Sequence, residues 1–153
     1  MQVKCLHCFL FYGTMMASSN TGDIYVMKKI INQTYDEERA LYASDGVICE
    51  DCTFAGPADG ESAFKESKNL IVRRCDFKLR YPFWHDTNAQ IEDSAFAATS
   101  RAPFWYSDHI VMQDCRMESV KAFRECRDVF LKNCNISSEE FGWRCHDVKI
   151  FGG

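Results

Sequence analysis

From residue 44 onward, short runs of alternating apolar and polar residues recur along the chain at nearly constant spacing. Fixing on Cys52, Cys75, Ser94, Cys115, Cys134 and Gly153 gives steps of 23, 19, 21, 19 and 19 residues. Three residues before each anchor stand Cys49, Val72, Ile91, Met112, Leu131 and Ile150, and two before those Val47, Leu70, Ala89, Ile110, Val129 and Val148. Two residues after the anchors come Phe54, Phe77, Phe96, Met117 and Ile136. The positions between are polar, among them Glu50, Asp51, Arg73, Arg74, Lys132 and Asn133, and alternation at period two specifies strands. Eight residues before each anchor lies a small or polar residue, Ser44, Ser67, Asp86, Ser107, Cys126 or Cys145, so this segment never changes length.

All length variation falls after the Phe54-type position, where GPADGES and AATSR add residues. A corner absorbs insertions and a strand does not. Repeats near 20 residues, built of short strands and tight corners, predict an all-β parallel β-helix of five to six coils, each coil stacked about 4.8 Å from the next. Leucine-rich repeats have a similar period but need leucines that this sequence lacks. A second fixed segment, RALYAS, SAFKES, YPFWHD, APFWYS, KAFREC and FGWRC, predicts a third short side. There Leu41, Phe64, Phe83, Phe104 and Phe123 face inward, and Tyr42, Lys65, Trp84, Trp105, Arg124 and Trp143 outward, because a buried unpaired cation costs several kcal/mol. The next column, Glu66, His85, Tyr106, Glu125 and Arg144, is polar and implies a bend.

Composition narrows the function classes. A chain of 153 residues, 46% of them apolar, suits one core, and a net charge of -4 lacks the basic footprint of nucleic-acid binding. Residues 1–26 share nothing with the repeat and are read as an extension ahead of a β-helix domain over 27–153, whose last coil stops at Gly153 where another would continue. The apolar stretch from Cys5 to Met16 is too short to span a membrane and has no A-x-A cleavage site, so neither a membrane anchor nor export is expected. Cys52, Cys75, Cys115 and Cys134 form one inward file of reduced thiols, which suits the cytoplasm. Cys5-x-x-Cys8 lacks a second ligand pair, and the repeat assigns Cys49 and Cys52 to separate core columns, so no metal and no cofactor is expected. His7, His85, His109 and His146 share no column, and no phosphate loop, nucleophile elbow, zinc-protease pair or calcium loop occurs.

The candidate functional surface is the outward stripe. Lys65, Trp84, Trp105, Arg124 and Trp143 fall on successive coils, flanked by His85 and Tyr106. Flat aromatic faces suit sugar rings or planar ligands, and the cations suit a carboxylate or phosphate. The competing reading is that indoles and cations stack on one another and shield an edge. As catalysts, Lys65, His85 and Glu125 are the available groups, but Glu66 and Glu125 lie three coils apart, about 14 Å, too far for a carboxylate pair.

The segments QTYDEERALY, ESAFKESKNLIVRRCDFKLRYPFWHD, RAPFWYS, KAFRECRDV and FGWRC, in this order, resemble a bacterial family known as domain of unknown function 3737, from Met27 to Gly153. The resemblance implies a single-stranded right-handed parallel β-helix and brings no activity, cofactor or catalytic residue. The expected role is a non-enzymatic binding or scaffold module for a saccharide-like or anionic ligand or a protein partner. The alternatives are a carbohydrate-active lyase or hydrolase, by analogy of fold alone, and a structural module that self-associates through exposed coil ends.

Overall fold

The computed structural model describes residues 17–18 and 24–153, with side chains from Val26 onward. Cys5, His7 and Cys8 lie outside the described residues. The chain winds as a β-solenoid whose longest face is a seven-stranded parallel sheet: Lys28–Ile31, Asp45–Glu50, Lys68–Arg73, Thr87–Glu92, Asp108–Gln113, Arg127–Lys132 and His146–Phe151. We number the coils one to seven by these strands. Coil one precedes the point where the sequence repeat is first recognisable, so the stack is longer than the five to six coils anticipated. Its Ile30 pairs with Cys49 and its Tyr35 with Phe54.

The register follows the sequence columns. Val47, Leu70, Ala89, Ile110, Val129 and Val148 pair in turn, as do Cys49, Val72, Ile91, Met112, Leu131 and Ile150. A six-stranded sheet begins at Thr34–Tyr35 and ends at Asn135–Glu140, and the third side is the short sheet of Phe83–Trp84, Phe104–Trp105 and Phe123–Arg124. The insertions sit at the predicted corner. One closes on Asp36, whose carboxylate accepts from the N–H groups of Ala58 and Asp59 at 2.7 and 3.0 Å, and the other forms the 3-10 turn Ala98–Ser100.

Two phenylalanine files fill the interior. Phe54, Phe77 and Phe96 stack at 4.7 and 4.8 Å between centroids, and Phe64, Phe83, Phe104 and Phe123 at 5.1, 4.8 and 5.0 Å. Each buried ring contributes about 1.5–3 kcal/mol of apolar transfer before entropy is counted. Coil seven closes this core incompletely, leaving Val148 half-buried and Ile150, Phe151 and Phe141 exposed.

The corners require left-handed backbone. One column, Asn32, Asp51, Arg74, Asp93, Asp114 and Asn133, has φ between 48° and 54°. A second, Ala43, Glu66, His85, Tyr106, Glu125 and Arg144, has φ between 50° and 62°, which is the bend that its polarity implied. Asn and Asp tolerate this region through local hydrogen bonds, whereas the other side chains hold it at a cost on the order of 1 kcal/mol that stacking must offset.

Candidate functional site

The small residues beside these corners connect one coil to the next. Ser44 N–H donates to Ser67 Oγ, Ser67 N–H to Asp86 Oδ1, Asp86 N–H to Ser107 Oγ and Cys126 N–H to Cys145 Sγ, at 3.0, 2.8, 3.1 and 3.3 Å. At the other corner Gln33 N–H points at Cys52 Sγ and Cys75 N–H at Ser94 Oγ, at 3.4 and 3.1 Å. Cys52, Cys75, Ser94, Cys115 and Cys134 each donate to the carbonyl two residues back. A position that accepts from the preceding coil and donates within its own admits a thiol or a hydroxyl, which explains why the two interchange down one file. The seven cysteines among the described residues are free.

Asp86 is the exception in its file. It is 1% exposed, its Oδ2 has no hydrogen-bond partner among the described residues, and burial pushes its carboxyl up to about 9, so it is uncharged at neutral pH.

On the outer side of this corner the stripe forms one continuous stack. Lys65 Nζ sits 4.7 Å from the Trp84 ring centroid, Trp84 and Trp105 are 5.3 Å apart and 10° from parallel, and Arg124 lies 4.9 Å from Trp105 and 4.2 Å from Trp143. Arg144 lies 4.5 Å from the Trp143 ring. Beside it His85 and Tyr106 stack at 4.9 Å, each nearly parallel to the preceding indole. Trp84 and Trp105 therefore lay their faces against neighbours in the stack, and only ring edges and cation heads border solvent. Their Nε1 atoms are buried without an acceptor among the described residues.

Few of the potential catalytic groups have partners. Among the described residues the His85 side chain makes ring contacts only, Lys65 makes no ion pair, and Glu125 lies 3.8 Å from Arg124. No hydrogen bond or ion pair joins Lys65, His85 and Glu125 to one another. The tightest polar contact beside the stripe is Tyr42 Oη donating to Glu66 at 2.6 Å, which raises the Tyr42 hydroxyl above its usual range.

A family model described as "Protein of unknown function (DUF3737)" matches residues 28–152, a span that includes every coil and the whole stripe. The chain belongs to this family. No curated protein matches it. Among the described residues of this DUF3737 protein, no helix is long and apolar enough to cross a membrane.

Sequence columns alone missed one cluster. The Sγ atoms of Cys49, Cys52 and Cys75 lie within 4.8 Å of one another, with Cys49 and Cys75 at 4.0 Å. The hydrogen bond with Cys75, together with burial, holds Cys49 above the usual thiol range, whereas the same contact draws Cys75 below. The C-x-x-C spacing was the available signal. What it lacked was the corner geometry that turns Cys75 of coil three back toward coil two.

Proposed function

We propose that this DUF3737 protein is a non-enzymatic binding or scaffold module, in which Lys65, Trp84, His85, Trp105, Tyr106, Arg124 and Trp143 hold an anionic, saccharide-like ligand or a protein partner. The observation that carries this reading is how the stripe fixes its cations. Lys65 and Arg144 are held on indole faces with no carboxylate partner among the described residues, unlike Arg73 and Arg74, which are tied to Glu50, Glu92 and Asp51. A cation restrained by a ring and left without a counter-ion is preorganised for an external anion, which lowers the ordering cost of binding. With the indole faces taken up, a sugar acid would lie along the ring edges with its carboxylates on the cations, rather than stack on the rings.

Catalysis is the weaker reading, because a general base needs an orienting partner and the His85 ring has none among the described residues. The free thiols fit a reducing cytoplasmic setting, which belongs to the proposal. The test is a titration followed by tryptophan fluorescence and amide chemical shifts, with uronate oligosaccharides against neutral ones of equal length. Saturable shifts with the uronates, lost in Lys65→Ala/Arg144→Ala, support the reading, and an unchanged spectrum overturns it. Release of reducing ends or unsaturated products, abolished by His85→Ala or Lys65→Ala, would make the protein an enzyme instead.

A further inference from the structure

Inside coils two and three lie three sulfurs that the stripe does not use. Cys49, Cys52 and Cys75 are 0%, 1% and 2% exposed, and no other three thiols come this close together among the described residues. An ion bound in a plane by three thiolates at about 2.3 Å holds their sulfurs roughly 4.0 Å apart. Cys49 and Cys75 already have this separation, and the remaining two distances are within 4.8 Å. We propose that Cys49, Cys52 and Cys75 form a three-coordinate site for a soft, thiophilic d10 metal ion, copper(I) being its natural member.

The surroundings select the ion. Zinc completes four positions, yet no further His, Cys or carboxylate joins this cluster among the described residues, and the neighbours of Cys49 in its file are Ile30 and Val72. Soft thiolates with no oxygen or imidazole donor favour copper(I). Binding releases three thiol protons to solvent, that of Cys49 and those that Cys52 and Cys75 now direct at the Glu50 and Arg73 carbonyls, and the Gln33 N–H at 3.4 Å from Cys52 Sγ is a ready donor to the resulting thiolate. Because metal and protons compete for the same sulfurs, affinity rises with pH. Being enclosed, the site is filled during folding or local opening, and a bound ion stabilises the folded chain.

The test uses the full chain carrying Cys5→Ser and Cys8→Ser, since that pair could bind copper by itself. Copper(I) is supplied anaerobically from a competing chelator. The expected result is one equivalent bound, a thiolate-to-copper absorption band in the ultraviolet, three thiols withdrawn from alkylation and a higher melting temperature. Cys49→Val, Cys52→Ser and Cys75→Ser should each weaken affinity at least tenfold, and Cys134→Ser should leave it unchanged. These substitutions suit the fold, because the same files already hold Val72 and Ser94, and a melting curve of each metal-free variant checks that it folds. Absence of tight one-to-one binding, unchanged affinity in Cys49→Val, or zinc bound equally tightly through the same three residues would each overturn the proposal.

Discussion

Phe64, Phe83, Phe104 and Phe123 run up the inside of the short third sheet, and Lys65, Trp84, Trp105, Arg124 and Trp143 run up its outside, one residue further along the chain. Both files repeat at close to 5 Å, yet they are held differently. The inner one is uniform, fully buried and enclosed on all sides by aliphatic and aromatic neighbours. The outer one mixes cations with aromatics, because each ring face left open by the coil spacing can be covered by a charge that still reaches water. A single spacing thus produces a core on one face and a restrained polar surface on the other. The left-handed corner and the Asp86 file begin where the two part.

Substitutions that separate the two files should differ in size. Phe104→Ala should cost about 3–5 kcal/mol in urea unfolding, since it opens a cavity in a closed core. Equal losses in Phe104→Ala and Trp105→Ala would erase the distinction.

Asp86→Ser, which copies Ser67 and Ser107, should stabilise the protein by on the order of 2–4 kcal/mol at pH 7, because a carboxyl that is ionised when unfolded must take up a proton to fold. The sign follows from the raised carboxyl: its contribution is fully present below about pH 4 and is lost as pH climbs to about 9. The gain over wild type should therefore be small at pH 4 and largest near pH 9, as urea melts at pH 4, 7 and 9 would show. A gain independent of pH would mean that Asp86 folds in its charged form.

Arg124→Met should cost about 1–2 kcal/mol, because the guanidinium lies between two indoles, and a double-mutant cycle with Trp105→Ala should return part of that as coupling. Lys65→Met, with only Trp84 to cover, should cost about 0.5–1 kcal/mol, and less in high salt.

The repeat was legible from residue 44 because its anchors there are small and its inward columns apolar. Coil one escaped because Gln33 stands at the anchor and Lys28 in the Val47 column, although Ile30 and Tyr35 keep the spacing. The outward direction of the stripe followed from Lys65 and Arg124, since charge has few places to go. Its mutual stacking was only one of two readings, because period alone does not say whether neighbouring rings meet each other or a guest. The left-handed corner at Glu66, His85 and Tyr106 was hidden, as these are not residues whose chemistry announces such backbone, whereas the Asn and Asp residues of the other corner column are. The three-sulfur cluster was hidden for a related reason, since it joins residues on a diagonal between coils rather than along one file.

The corner hydrogen bonds carry a consequence for how such a chain can change length. Each floor satisfies the polar needs of the one beneath it and asks nothing of distant parts of the molecule. Adding or removing one complete circuit of the staircase would disturb only the floors on either side of the change, whereas a change of two or three residues within a side would shift all later floors out of alignment. Evolution can therefore lengthen this protein by copying whole turns, and can elaborate it only at the landings.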